Sequence, residues 1–276
     1  MSPRLHPSSP AAPHTAGFGD EIVRRVLDDA LVHGARVYAI AGLQGSGKST
    51  LAAQVGAMAA RRGLRVATLS IDDVYLGRRE RLRLARDVHP LLATRGPPGT
   101  HDVALACDVL DRLRAGGHVR LPRFDKLADT RLPPSRWKPV SAADLVLFEG
   151  WFLKTPPQAP GELRESLNAV ERDEDPDGSW RRYCNDALAR EYPALWSRLD
   201  RLLFLQPPGF EIVPGWRWEQ EAAMQANAPS PRRGMSRPQM DRFVQLFERV
   251  SRQALRTLPG LADLVLPLDA QRRPLA

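Results

Sequence analysis

Residues 42–49 read GLQGSGKS, a full match to the pattern G-x-x-x-x-G-K-[ST]. Gly42, Gly45 and Gly47 let the backbone fold back with its N–H groups turned inward, and Gln44 and Ser46 stand between them in the same lining. Those donors, with the N-terminus of the helix that follows, make a cradle for an anion. Lys48 sets a positive charge against the β- and γ-phosphates. The Ser49 hydroxyl is placed to ligate Mg²⁺, and Thr50 adds a hydroxyl for the α-phosphate. The expected cofactors are therefore ATP and Mg²⁺. A chance glycine-rich turn is the bland alternative, and the strand before and helix after argue against it. The loop alone does not separate a kinase from an ATPase, a GTPase or an ABC-type engine.

Acidic residues at two strand ends narrow the choice. The segment TLSIDDVY sets Asp72 and Asp73 at a carboxyl tip. Phosphoryl transfer to a hydroxyl needs a carboxylate there to orient the acceptor and take its proton, and Asp72 is the choice for that role. The alternative is an aspartate capping the next helix. The segment LVLFEGW leaves Glu149 at a second tip, as expected of a carboxylate facing Mg²⁺ and its waters, with Gly150 turning the chain away. Lys48, Asp72 and Glu149 form the expected catalytic set, and Ser49 and Glu149 the metal set.

A small hydroxy acid would need cations for its carboxylate. The loop RGPPGTHD offers Arg95, Thr100, His101 and Asp102, although Thr100 and Asp102 equally suit a helix cap. PRFDK supplies Arg123 and Lys126, with Asp125 to position one of them; a solvated charge cluster is the alternative. Arg217, on a later helix, together with Arg232 and Arg233, suits a lid closing over the transferring phosphoryl group. His89 and His118 lack metal-ligand spacing, and Cys107 and Cys184 lie too far apart to suggest zinc or a disulfide framework.

The elements that must hold these residues alternate. Apolar spacing predicts a helix over Phe18–His33, strands over Arg36–Ala41, Leu64–Ile71, Asp144–Phe148, Asp200–Leu205 and Asp263–Leu266, and a helix over Thr50–Arg62. Further helices are expected at Gly77–Asp87, Asp102–Ala115, Gly161–Val170, Trp180–Leu195, Glu211–Ala226 and Pro238–Thr257. The last carries Met240, Phe243, Val244, Phe247, Val250 and Leu255 on one side. Asp125–Val140 reads as a long loop. This order predicts an α/β fold, a mostly parallel sheet flanked by helices, with ligands at the carboxyl ends of the strands. Residues 1–17 are expected to be a disordered tail, residues 18–276 one domain, and residues 209–237 a helical lid.

The chain has 276 residues, a net charge of +8 and a pI near 10.1, which favours an anionic partner. No basic stripe interleaved with aromatics supports nucleic acid as that partner. No apolar run is long enough to span a bilayer, and the first residues lack the core of a signal peptide, so a cytoplasmic, reducing setting is expected.

Taken in order, GLQGSGKST, SIDDVY, RGPPGTHD, PRFDK, LVLFEGW and WRWEQE resemble the plant- and fungal-type D-glycerate 3-kinases, in the phosphoribulokinase/uridine kinase branch of P-loop kinases. The resemblance runs from about Val37 to Leu268 and includes GMSRPQMDRFVQLFERV. It implies the P-loop NTPase fold and ATP- and Mg²⁺-dependent transfer to D-glycerate. It also implies that Asp72 is the base and Glu149 belongs to the metal site, with Asp73 and Tyr75 on the substrate side. The chain departs from the pattern at LADTRLPPSRW, where only Arg131 or Arg136 can replace the usual arginine, at Val74 in place of an aromatic, and at Glu219 in place of glutamine. Those departures keep open another acceptor, such as a nucleoside, pantothenate or a sugar phosphate. A nucleotide-dependent nucleic-acid-binding or interaction protein is the alternative of another class.

Overall fold

The computed structural model describes residues 17–226 and 234–275. The expected tail before Gly17, and Arg232 and Arg233, lie outside the described residues. The chain opens with α1 (Asp20–Val32), β1 (Val37–Gly42), α2 (Lys48–Arg61), β2 (Val66–Ser70) and α3 (Arg78–Asp87). Next come α4 (Val103–Arg114), β3 (His118–Leu121), β4 (Phe124–Asp125), β5 (Thr130–Arg131), β6 (Lys138–Ser141) and β7 (Leu145–Gly150). The rest is α5 (Ala169–Glu174), α6 (Ser179–Arg190), α7 (Tyr192–Trp196), β8 (Arg201–Gln206), α8 (Val213–Ala226), α9 (Arg237–Leu261) and β9 (Leu264–Pro267).

Five strands form one parallel sheet in the order β2-β7-β1-β8-β9. Every residue of β1 and β7 is buried, because helices cover both faces, and these strands accordingly read as continuous apolar runs. Alternate side chains serve different layers. Val37, Ala39 and Ala41 join Val146, Phe148, Leu202 and Phe204 in a core shared with α4, α6, α7 and α9. Tyr38 and Ile40 join Leu145, Leu147, Leu203 and Leu205 in a core shared with α1 and α2. The apolar face expected on α9 is present: Met240, Val244, Phe247 and Val250 are buried, and Phe243 and Leu255 pack beside them.

Three expected elements take another form. Residues 125–140 are not one loop: β4 pairs with β5, and β6 pairs antiparallel with β3. The strands are short and half polar, so no apolar period marked them. The helix expected over Gly161–Val170 is a 3₁₀ turn at Pro160–Leu163, and α5 begins only at Ala169, capped by the Asn168 side chain accepting from the Glu171 N–H at 3.0 Å. The helix expected over Trp180–Leu195 divides into α6 and α7 at Pro193, which has no N–H to continue the ladder. No helix among the described residues is long and apolar enough to cross a membrane.

Candidate active site

The parallel register brings three strand ends to one edge. Glu149 of β7 sits level with Ile40 of β1 on one side and Ser70 of β2 on the other. Two residues beyond Ile40 the chain leaves β1 at Gly42 for the phosphate loop, and two beyond Ser70 stands Asp72. Neighbouring strands lie about 4.8 Å apart, so loop, Asp72 and Glu149 must share one hollow.

Gly47, at φ 91°, opens α2 from the left-handed region, and Gly45 has φ 82°. At Gly45 a side chain is also excluded by space, since its Cβ would stand 2.6 Å from the Cβ of Trp216 in α8. Lys48 is buried, and its Nζ donates to the Leu43 carbonyl at 3.0 Å. Burial lowers its pKa, while the carboxylates of Glu149 and Asp72 push it back up and Lys126 and Arg217 lower it further. The Ser49 hydroxyl donates to Glu149 Oε1 at 2.9 Å. The Gln44 amide, Ser46 Oγ and Arg217 Nε are buried without a protein hydrogen-bond partner. Groups of that kind suit a ligand rich in hydrogen-bonding oxygens. Among the described residues no cluster of three or more His, Cys, Asp or Glu is arranged to hold a metal. The Ser49–Glu149 pair therefore fits an ion that brings most of its oxygen ligands with it, as Mg²⁺ does on a triphosphate.

The two aspartates after β2 behave differently. Asp73 accepts from the Ser70 N–H at 3.2 Å while Ser70 Oγ accepts from the Asp72 N–H at 3.2 Å, so Asp73 closes the cap of the short 3₁₀ turn. Burial raises the Asp73 carboxyl's pKa, and Arg123, 3.6 Å away, opposes that rise. Asp72 instead faces the hollow. Its Oδ1 accepts from the Tyr75 hydroxyl at 2.6 Å and its Oδ2 from Lys126 Nζ at 2.6 Å. Burial raises the Asp72 carboxyl, but the Lys126 ammonium and these two hydrogen bonds outweigh it and hold the pKa at about 2. Arg217 stands in α8 next to Trp216, which packs against Gly45 of the loop; burial lowers its pKa and the charge of Asp72 opposes that.

The residues expected to bind an acceptor separate into two groups. Asp73, Tyr75, Arg123, Lys126 and Arg217 gather around Asp72. Thr100 and Asp102 hold structure: the Thr100 hydroxyl donates to the Pro97 carbonyl at 2.7 Å and accepts from the Gly96 N–H at 3.0 Å. Asp102 caps α4 through the Leu105 N–H at 3.0 Å and pairs with Arg131 at 2.8 Å. His101 is buried, with Nδ1 2.6 Å from the Tyr192 hydroxyl and its ring 4.8 Å from that of Tyr75. Burial lowers its pKa to about 3, so the imidazole is neutral at physiological pH. Arg95 pairs with Asp129 at 2.5 Å and lies over the Phe124 ring.

Two arginines in the surrounding framework carry no motif. Arg81, 1% exposed, donates to the Leu76, Ala93 and Asp129 carbonyls at 3.1, 2.7 and 2.9 Å and pairs with the Asp129 carboxylate at 2.8 Å. It thus ties α3 to the loops that present Tyr75 and Lys126. Arg272 donates from Nε to the Gly45 carbonyl at 2.7 Å and pairs with Glu219 at 2.7 Å, its guanidinium lying 5.0 Å from the Trp216 ring centroid. The Gly45 carbonyl shares its planar peptide with the Ser46 N–H, which points the opposite way and donates to the Leu43 carbonyl at 3.2 Å, so Arg272 fixes the orientation of that peptide. One charged residue among many gives no such signal in a sequence this rich in arginine.

A parallel sheet with this loop after its central strand β1, and acids at the ends of the two strands on one side of it, β7 and β2, defines a P-loop kinase. No protein-family profile matches the chain. It is 32% identical over 221 residues to the uncharacterized kinase mug58 of Schizosaccharomyces pombe, covering 76% of this chain and 78% of that one. It is 28% identical over 252 residues to the chloroplastic D-glycerate 3-kinase of Arabidopsis thaliana, covering 84% of this chain but only 52% of that longer protein. In fold it matches the D-glycerate 3-kinase of Cryptococcus neoformans with a TM-score of 0.77 at 24% identity, over 94% of this chain and 99% of that one. The chain belongs to the ATP-dependent kinase family that includes these proteins, the glycerate 3-kinase family of P-loop kinases.

Proposed function

We propose that the chain transfers the γ-phosphoryl group of ATP to the 3-hydroxyl of D-glycerate. The observation that carries this reading is Asp72, a carboxylate turned toward the same hollow as Lys48 and Glu149, paired with Lys126 and next to Asp73, which faces Arg123. The names of two similar proteins supply the acceptor.

In this reading Lys48 leaves the Leu43 carbonyl for the β- and γ-phosphates, and the loop N–H groups hold the remaining oxygens. Ser49 and Glu149 would hold Mg²⁺, which would supply charge neutralisation on the phosphates. The acceptor hydroxyl donates to Asp72 as its oxygen attacks phosphorus; that O–P bond forms, the bond to ADP breaks, and the proton passes to the carboxylate. Arg123 and Lys126 hold the acceptor's carboxylate, and Arg217 stabilises charge on the moving group. Positioning and electrostatics supply most of the rate. The active unit spans residues 18–276, with residues 209–237 as its lid, and works in the cytoplasm, where Cys107 and Cys184 stay as the free thiols seen here.

An acceptor screen tests the proposal. ADP release from ATP is expected to rise with D-glycerate far more than with a nucleoside, pantothenate or a sugar phosphate, giving 3-phosphoglycerate. Preference for any of the others would replace the acceptor while keeping the kinase.

A further inference from the structure

The proposed base is covered by its own chain. Both oxygens of Asp72 are engaged, Oδ1 by the Tyr75 hydroxyl and Oδ2 by Lys126, each at 2.6 Å. The covers differ in kind. Tyr75 is 5% exposed and packs between His101 and the edge of Phe124. Lys126 has a side chain 58% exposed and reaches in from solvent on a four-carbon stem. The turn beneath it is firm: Asp125 Oδ1 accepts from the Leu127 and Ala128 N–H groups at 2.9 and 3.0 Å, and Leu132 N–H donates to the Arg123 carbonyl at 2.8 Å. Segment 123–126 thus lays two cations on the acid pair, Lys126 on Asp72 and Arg123 toward Asp73.

We infer that Lys126 is a specificity-determining residue: it masks Asp72 until an anionic group on the acceptor, close to the hydroxyl, draws the ammonium away. The inference rests on the assignment of Asp72 as the base. Each carboxylate oxygen keeps a second lone pair, but the Lys126 ammonium at 2.6 Å occupies the approach to Oδ2 and makes the ion-paired Asp72 a poor acceptor of a hydroxyl's proton. Water is a hydroxyl without an anion, so it cannot free Oδ2, and bound ATP is protected from hydrolysis. A hydroxy acid presents Lys126 with a replacement partner as its hydroxyl arrives. Asp72 then loses its nearest cation, becomes more basic, and accepts the proton as the new O–P bond forms and the bond to ADP breaks. A neutral polyol of the same size has the hydroxyl but not the key.

The test compares D-glycerate, glycerol and lactate, which keeps the carboxylate and 2-hydroxyl of glycerate but lacks its 3-hydroxyl. In the native chain, lactate is expected to raise release of inorganic phosphate from ATP about tenfold, and glycerol to leave it at background. Lys126→Met, on an exposed side chain, is expected to raise acceptor-free hydrolysis by a similar factor and to abolish the lactate effect. Lys126→Met with Asp72→Asn should return hydrolysis to background, because the added turnover runs through Asp72. Unchanged acceptor-free hydrolysis in Lys126→Met, together with no lactate effect in the native chain, overturns the inference. Lactate-stimulated hydrolysis with D-glycerate left unphosphorylated would support the masking and overturn the acceptor assignment alone.

Discussion

The two halves of the active-site hollow are built from different materials. On the side proposed for the nucleotide, residues 42–49 present mainly backbone: glycines in the left-handed region, peptide groups and one helix end, with Lys48 as the principal charge. On the side proposed for the acceptor, five ion pairs join charged side chains from distant segments: Asp72 with Lys126, Asp73 with Arg123, Arg95 and Arg81 with Asp129, Asp102 with Arg131. A backbone cradle tolerates little change, because its geometry belongs to every residue at once. A set of ion pairs can be re-partnered one residue at a time, so specificity can shift there while nucleotide binding is kept.

Substitutions can break this contrast. Asp72→Asn should lower kcat by about 10²- to 10⁴-fold while the affinity for ATP stays within a factor of two, measured by steady-state turnover and by nucleotide titration. A parallel loss of ATP affinity would mean that the two halves are not separable. Arg81→Met removes the hub of that side; Asp129 is a third exposed and keeps Arg95, so the loss should be about 1–3 kcal/mol, mainly from carbonyls left without a donor, to be read from the urea midpoint. Arg272→Ala acts from outside the cradle. It should raise KM for ATP roughly tenfold with kcat nearly unchanged, since it lets the Gly45 carbonyl turn without touching Asp72.

A further effect concerns pH. His101 is neutral in the folded chain down to about pH 3, whereas in the unfolded chain it takes up a proton near pH 6.5. Its contribution to stability is complete above pH 6.5 and is lost as the pH falls from there toward 3, by up to about 1.4 kcal/mol per pH unit. Urea midpoints between pH 7 and 4.5 should therefore slope less steeply for His101→Asn than for the native chain. Equal slopes would show that His101 is not the group that titrates on unfolding.

The nucleotide half was legible because its causes are local. A glycine needed at a positive φ, a lysine opening a helix and an apolar run fit for a doubly covered strand depend on neighbours in sequence, and the resemblance to a known kinase family rested on the same short segments. The strand-end acids followed once the strands were placed. The hairpin-like pairing of β4 with β5 and of β3 with β6 was not legible, because two to four half-exposed residues carry no period. Residue type left Thr100 and Asp102 open between an acceptor contact and a helix cap; the structure decided it, with Asp102 capping α4 and Thr100 closing its own loop.

By itself, the sequence determined the phosphate loop, the parallel sheet and the acids at its edge. Only the tertiary structure decided which charges meet. Lys126 finds Asp72 across 54 positions and Arg272 finds Gly45 across 227, and an arginine or lysine advertises its charge but not its partner. Partners are chosen by the packing that brings the two ends together, and that packing is a property of the whole chain.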